Sequence, residues 1–358
     1  MQLLTRWFKR YFSDPEVVFL ALFLLLGFAI VLTMGDMLAP VLASVVIAYL
    51  LEGVVGLLQR RGVPRLPAVL IVYVAFLLFV VLVLFGIVPQ LSRQATQLFH
   101  QIPAMISRGQ ALLMQLPEHY PEIVSPEQVQ EIFSVIRAEI ADFGQTVLSA
   151  SLASVVGFIT ILVYLILMPL LVFFFLKDKR VILDWMLGLL PRDRALASTV
   201  WRDMDRQIAN YVRGKFWEII IVWSASFVTF TVMGLDYAML LGVLVGLSVI
   251  IPYIGAAVVT FPVILIAWFQ WGWSADFVWL SVAYLVIQIL DGNVLVPLLF
   301  SEAVNLHPVA IIVAILVFGG LWGFWGVFFA IPLATLVQAI IRAWPRGAKP
   351  PEEAVGQG

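Results

Sequence analysis

Hydrophobic residues occur along this chain in runs of about 20, the length that crosses a bilayer as a helix. Five runs are clear and lie near residues 17–34, 38–58, 66–88, 153–176 and 216–234. A further apolar tract from about residue 238 to 343 is broken by glycine, proline and polar clusters. The pattern predicts an all-α, polytopic membrane protein with about seven to eight transmembrane helices, some forming broken or re-entrant hairpins.

The composition supports this class. Of the 358 residues, 63% are hydrophobic and 12% are charged, whereas soluble chains have about 45–50% apolar and about 25% charged residues. The chain has no cysteine, which excludes disulfides, thiol catalysis and Cys-ligated zinc. A net charge of −1 gives no indication of a nucleic-acid partner, so the lipid bilayer is the first partner that we expect.

Lysine and arginine are distributed unevenly between the connections. Three lie in the first fifteen residues, three in 59–65, nine in 177–215 and three after residue 341. These segments alternate so that they share one side of the membrane, which the positive-inside rule assigns to the cytoplasm. The remaining three basic residues lie in 89–150 beside six acids. We therefore expect both termini in the cytoplasm and 89–150 outside.

The outer segment contains two apolar stripes with alternating spacings of four and three residues, typical of a narrow seam along a helix. Pro117, Pro121 and Pro126 separate the stripes and favour turns. This pattern predicts an outer helical hairpin, whose stripes either pack on each other or the bilayer surface, or contact another subunit. The stripes begin at Leu91 and at Val129.

The basic segment before the fifth run is amphipathic, which predicts a helix along the inner membrane face. Gly214 at its end suits a helix terminus. Glu218 follows Lys215 by one turn, so we expect the two to pair near the inner interface. Glu52 lies near the same interface, where Arg60 is its neighbour in sequence.

Candidate chemistry lies in residues 216–341, which contain five acids and no lysine or arginine. Asp236 and Asp276 lie in short polar turns, where water solvates them. Asp291 and Glu302 flank Gly-Asn-Val-Leu-Val-Pro (292–297) inside an otherwise apolar tract, and a charge at bilayer depth costs roughly 2.5–3.5 kcal/mol or more. Such a carboxylate needs a proton, water, an incoming cation or a charge from another segment. The alternative is a loop that reaches the water interface.

We expect residues 288–308 to line a polar cavity between two broken hairpins, with Asp291 as the main cation- or proton-responsive group. His307 and Glu302 would tune the local field. Backbone carbonyls freed near Pro252 and Pro297 would assist. The candidate path residues are Gln288, Asp291, Asn293, Glu302, Asn305, His307, Pro252, Tyr253 and Gly255.

Helix-breaking residues interrupt this apolar tract twice. The first break is Ile-Pro-Tyr-Ile-Gly-Ala (251–256). Such breaks at membrane depth need protein or a watery cavity to satisfy the backbone, and paired breaks are typical of transporters. Two similar units suggest an inverted repeat: span 216–234 with hairpin 238–271, and span 275–297 with hairpin 306–343. The alternative is ordinary pairs of spans with glycine-rich packing seams. The second break is the glycine run at 319–326. The expected hinge or packing residues are Gly319, Gly320, Gly323, Gly326, Pro297 and Pro332.

The chain contains no soluble-enzyme motif, P-loop or dinucleotide fingerprint, so we expect neither an enzyme nor a cofactor. Two of its three histidines, His100 and His119, lie in the outer segment, which argues against a metal site in the membrane. The expected organisation is as follows: N-terminal transmembrane helices (1–88), outer amphipathic hairpin (89–150), transmembrane plus cytoplasmic amphipathic helix (151–215), transport core with two broken hairpins (216–343) and flexible cytoplasmic tail (344–358).

Six short motifs occur in order along the chain. They are Phe-Phe-Phe-Leu-Lys-Asp-Lys (173–179), Tyr-Val-Arg-Gly-Lys (211–215), Ile-Pro-Tyr-Ile-Gly (251–255), Asp-Gly-Asn-Val-Leu-Val-Pro (291–297), Leu-His-Pro (306–308) and the glycine run before Pro332. Together they resemble the autoinducer-2 exporter family of bacterial permeases. The resemblance covers most of the chain and implies a multi-pass inner-membrane protein with seven or eight spans, export of autoinducer-2 or cation/proton antiport, and homo-oligomers, including pentamers. Lys215 and Glu302 depart from the residues that many members have there.

The leading functional hypothesis is a secondary transporter for a small polar solute resembling autoinducer-2, or an exchanger of monovalent cations for protons. The alternative is a membrane scaffold that recruits envelope proteins through the outer hairpin. An intramembrane hydrolase is a third class, and the sequence offers no nucleophile–base set for it. Flux in proteoliposomes distinguishes the first hypothesis from the other two.

Overall fold

The computed structural model describes residues 15–115, 125–152, 154–188, 195–300 and 306–343. Every regular element in these ranges is helical, and six helices are long and apolar enough to cross a membrane, which confirms the all-α polytopic class. The tail 344–358 lies outside the described residues. The helices are α1 (Pro15–Arg60), α2 (Arg65–Leu82), α3 (Val88–Leu113), α4 (Pro126–Leu152), α5 (Ser154–Lys177), α6 (Lys179–Gly188), α7 (Ala195–Val232), α8 (Ala238–Ser248), α9 (Ile254–Trp271), α10 (Ala275–Leu290), α11 (Val296–Phe300), α12 (Pro308–Phe328) and α13 (Ala330–Ala343).

Two wider π-helical turns interrupt otherwise continuous helices. They span Val83–Ile87 and Asp291–Leu295, and each ends two residues before a proline, Pro89 or Pro297. Proline has no backbone N–H, so the carbonyl four residues earlier loses its helical partner and the helix widens locally. The membrane helix α2 thereby continues into the polar helix α3.

The chain forms two compact units, which are described separately. The first unit comprises residues 1–69, 171–218 and 293–358, and the second comprises 70–170 and 219–292.

In the second unit, α8 and α9 form the first broken hairpin. Helix α8 has 11 residues, or about 16 Å, which is too short to cross a bilayer. A Cβ atom on Gly255 would overlap the Ser248 carbonyl oxygen, although residues seven apart in a straight helix are about 10 Å apart. The chain therefore reverses sharply at Pro252 and Tyr253, where Tyr253 has φ 63°, and the segment is a broken hairpin.

Helix α8 also packs closely on α7 through a Gly-x-x-x-Gly pair. A Cβ on Gly242 would lie 3.0 Å from Cβ of Phe227, and one on Gly246 would lie 2.6 Å from Cβ of Trp223. Small residues four apart allow two helix backbones to approach within a membrane, so these glycines fix α8 against α7.

In the first unit, α12 and α13 form the second broken hairpin. By length and composition Pro308–Phe328 could span a membrane, but Gly323 has φ 55° and ψ −132°, outside the helical region. A Cβ on Gly326 would overlap the carbonyl oxygen of Phe318, so the chain turns back within this helix. Both interruptions that the sequence predicted are therefore sharp reversals.

The outer segment contains the two predicted helices, which pack on each other in the second unit. Gly109 of α3 approaches the Phe133 ring, and Arg137 Nη2 donates to Gln110 Oε1 at 2.6 Å. Val129 and Phe133 are buried. At these positions the stripes pack on each other, which was one of the two alternatives.

A helix end at Gly214 was a wrong prediction. Helix α7 continues through this residue to Val232. A Cβ on Gly214 would lie 2.8 Å from Cε1 of Phe300, so a side chain would collide with the aromatic ring. This glycine permits close packing rather than helix termination.

Candidate functional site

Helix α10 of the second unit presents a polar face within an apolar sequence. The helix begins at Ser274, whose Oγ accepts a hydrogen bond from the Phe277 N–H at 3.4 Å. Tyr284, Gln288 and Asp291 follow at spacings of four and three residues, which place them on one side of the helix. Tyr284 is almost fully buried and Asp291 is half-buried.

A directed chain of hydrogen bonds joins this face to α9. Thr260 Oγ1 donates its single proton to the Ala256 carbonyl at 2.7 Å. The Tyr284 hydroxyl therefore donates to Thr260 Oγ1, 3.1 Å away, and accepts from Gln288 Nε2 at 2.8 Å. Each group in the series Gln288, Tyr284, Thr260 and Ala256 therefore donates a hydrogen bond to the next one.

The Thr260–Tyr284 contact sets the register of the antiparallel pair α9 and α10. From it, six residues lead back to Ile254 and six lead forward to Leu290, about 9 Å along each helix at 1.5 Å per residue. Asp291 and the 251–255 break therefore lie at the same end of the pair. The register thus places two predicted groups that are separate in sequence at one end of this helix pair.

The π-helical turn positions Asp291 at the end of α10. The carbonyls of this turn depart from the regular α-helical hydrogen-bond pattern, because Pro297 has no N–H to donate to the Asn293 carbonyl. Such turns frequently mark functional positions in helices. Gly292 and Asn293 are exposed and Asp291 is half-buried, so the carboxylate lies at the border between packed and open surface.

The other predicted path residues are dispersed. His307 is exposed in the first unit, where its Nδ1 accepts from the Val309 N–H at 3.2 Å and caps α12. Glu302 and Asn305 lie outside the described residues. Of the predicted hinge glycines, Gly319, Gly323 and Gly326 lie at the α12 reversal. A Cβ added at Gly320 or Gly323 would meet no atom within 4 Å.

Sequence reasoning did not single out Thr260 and Tyr284. The available signal was the 4-3 spacing of Tyr284, Gln288 and Asp291 on one helix. Thr260 carried no such signal, because its role depends on the register between α9 and α10.

A buried ion pair lies in the first unit, on α7. Lys215 Nζ is 2.6 Å from Glu218 Oε2, and the side chains are 4% and 3% exposed. The Lys215 ammonium also lies 5.2 Å from the Phe300 ring centroid, and Tyr211 OH donates to the Phe328 carbonyl at 3.0 Å. The sequence predicted this pair, but only the fold encloses it in aromatic surroundings.

A second charge cluster joins three helix ends in the first unit. Glu52 accepts from Arg65 Nη1 at 3.2 Å and from Lys179 Nζ at 3.3 Å. Arg65 also donates to the Leu176 carbonyl at 2.6 Å. Arg60 was the expected neighbour by sequence, whereas folding brings the starts of α2 and α6 to this carboxylate.

The chain is similar to known transport proteins over most of its length. A family model described as "AI-2E family transporter" matches residues 18–346. The chain is 47% identical over 347 residues to "Putative permease PerM" of Escherichia coli (strain K12), covering 97% of this chain and 98% of that protein. It is 29% identical over 307 residues to "Putative transport protein YrrI" of Bacillus subtilis (strain 168), covering 84% and 85%.

The chain therefore belongs to the AI-2E transporter family, which confirms the resemblance inferred from its motifs. It is a multi-pass membrane protein of a bacterial permease family. The names of these relatives describe permeases and transport proteins, and they support a transport role in the membrane.

Proposed function

We propose that this member of the AI-2E transporter family is a secondary transporter of the bacterial inner membrane. It moves a small polar solute resembling autoinducer-2, or exchanges a monovalent cation for protons. One observation carries the proposal: the hydrogen-bonded face Thr260–Tyr284–Gln288 leads to half-buried Asp291, at the end where α8 and α9 are broken.

In this proposal the Asp291 carboxylate binds a proton or a cation reversibly. At bilayer depth, Asp291 is most stable when it is protonated or when it faces a cation. Binding one of these would change the local charge, and the adjacent hairpin can respond because its reversal has few regular backbone bonds. The sequence offers no ATP-binding motif, so a gradient drives movement in this proposal.

Flux into proteoliposomes tests the proposal. We expect purified protein to move a polar metabolite or Na⁺ or Li⁺ against protons, and Asp291→Asn to lose at least about 90% of the rate together with its pH dependence. Asp276→Asn is the matched control, since Asp276 is exposed at the other end of α10. Equal flux and equal pH profiles for Asp291→Asn and the unmodified protein would remove Asp291 from the mechanism.

The driving reaction is identified in the same vesicles. An imposed pH gradient that accumulates Na⁺ or Li⁺ indicates cation/proton exchange. Movement of an uncharged polyhydroxy compound that is independent of added Na⁺ or Li⁺ indicates solute transport. Absence of any flux, with the outer hairpin retaining an envelope protein, would favour the scaffold alternative.

The proposal includes a homo-oligomer, with a pentamer as the form that the family resemblance implies. Helix α4 carries exposed apolar side chains beside its packed seam, including Ile132 at 54% and Val135 at 55% exposure. A second copy could cover them. Mass measurement in nanodiscs tests this, and a monomer at all concentrations would contradict it.

A further inference from the structure

A cleft outside the proposed ion site is lined by a row of glutamines. Helix α3 carries four glutamines at spacings of four, three and four residues, namely Gln90, Gln94, Gln97 and Gln101. These spacings place them on one helix face. They line a cleft of about 650 Å³ against the turn at residues 234–239. We call this cleft the glutamine cleft, and all of its lining residues belong to the second unit.

The cleft lies where the polar part of α3 begins. Gln90 is 25 residues beyond Arg65, or about 37 Å along the helix, whereas the hydrocarbon core is about 30 Å thick. The glutamines therefore start where α2 has crossed the bilayer. Ligands dissolved in water can reach the cleft without entering lipid.

Two glutamines hold the opposing turn in a fixed geometry. Gln94 Oε1 accepts from the Leu240 N–H at 2.8 Å. Gln270 Oε1 accepts from the Asp236 N–H at 2.8 Å, and its Nε2 donates to the Gly234 carbonyl at 2.8 Å. Tyr237 adopts φ 59°, a conformation that costs energy in a non-glycine residue and persists where neighbours impose it. The wall of the cleft is thus built by specific contacts.

The lining chemistry selects the class of ligand. Each glutamine amide offers donors and an acceptor without charge, and Phe227 and Met239 contribute an apolar wall. Of the lining residues that the structure describes, one, Asp236, is charged. For an anion, the charged lining group would be this carboxylate, which repels it. An apolar solute would leave the glutamine amides without hydrogen-bond partners. A compound with many hydroxyl groups and C–H faces satisfies both surfaces.

We infer that the glutamine cleft is a binding site for a neutral, hydroxyl-rich solute. It is separate from the Asp291 site: Gln270 is 16 residues from Ile254, about 24 Å along α9, and Asp291 lies at the Ile254 end. Binding there does not depend on Asp291 or on transport. The cleft would concentrate the solute at one end of the second unit.

Equilibrium dialysis of the full-length protein in nanodiscs tests this inference. The probes are radiolabelled D-ribose and D-glucose, with choline as a cation and malate as an anion. We expect saturable binding of at least one sugar and none of malate. Gln90→Leu/Gln97→Leu should weaken sugar binding roughly four- to 100-fold, because each of the two lost hydrogen bonds accounts for about two- to tenfold.

Three variants make the result specific. Thr96→Val, on the same helix but outside the lining, should bind like the unmodified protein, as should Asp291→Asn. Asp236→Asn should retain saturable sugar binding, since asparagine still offers a hydrogen-bond acceptor and a neutral ligand requires no charge. Failure of both sugars to bind, or binding that survives Gln90→Leu/Gln97→Leu, overturns the inference. Choline binding that disappears in Asp236→Asn would identify a cation site instead.

Discussion

Lys215 and Glu218 form an ion pair within one turn of α7, with Nζ and Oε2 2.6 Å apart and both side chains almost fully buried. The pair is local in sequence, but its enclosure is not. Phe300 covers the ammonium from a segment more than 80 residues away. A buried pair of this kind is costly to break from one side, since the remaining charge loses its partner in a low-dielectric environment.

We therefore expect Glu218→Gln to destabilise the protein by about 3–5 kcal/mol, measured by SDS-induced unfolding in mixed micelles. Lys215→Met/Glu218→Leu should recover more than half of this loss, because no charge is left unpaired. Glu52→Gln is the control: Glu52 pairs with Arg65 but is 24% exposed, so we expect about 1 kcal/mol or less. Equal losses for Glu52→Gln and Glu218→Gln would show that burial does not decide the effect.

The two hairpin reversals make a second prediction about glycine. We expect each of the substitutions Gly255→Ala and Gly326→Ala to lower stability by at least about 2 kcal/mol or to prevent folding. In both cases the new methyl group would overlap a backbone carbonyl, which cannot move aside. Gly292→Ala and Gly320→Ala are matched controls, with nothing within 4 Å of the added Cβ. Folded yield and unfolding in detergent compare the four, and tolerance of both hairpin substitutions would refute the close approach.

The hydrogen-bond chain between α9 and α10 makes a third prediction. Tyr284→Phe removes the acceptor of Gln288 and the donor to Thr260, so we expect a loss of about 1–3 kcal/mol. A double-mutant cycle with Gln288→Leu should give a coupling energy above about 0.5 kcal/mol. Tyr253→Phe, at an exposed tyrosine, should change stability by less than about 0.5 kcal/mol. Additive effects in the cycle would mean that the Tyr284–Gln288 bond does not stabilise the protein.

The fourth prediction concerns orientation. The Gln94–Leu240 hydrogen bond places α3 at the same end as the 234–239 turn, as the predicted topology requires. Since the chain has no cysteine, single cysteines report sidedness directly. A membrane-impermeant maleimide should label Asp236→Cys in intact spheroplasts and should label Arg61→Cys only after lysis. The reverse pattern would invert the topology.

Several features could be predicted from sequence because their causes are local. Apolar runs of about 20 residues specify membrane helices wherever they occur. The breaks at Pro252 and Gly323 were predictable because proline and glycine disfavour a continuing helix whatever surrounds them. The pairing of Lys215 with Glu218 followed from one-turn spacing.

The tertiary structure decided which residues meet across helices. Gly214 has the same sequence signal whether a helix ends or a ring packs against it, and only the position of Phe300 distinguishes the two. Thr260 joined the candidate site because the register of α9 against α10 places it opposite Tyr284. Helical periodicity is fixed by the backbone of one segment, whereas register depends on side-chain packing between segments distant in sequence. The chain's own pattern therefore determined its class and its polar positions, and packing between helices selected the partners of those positions.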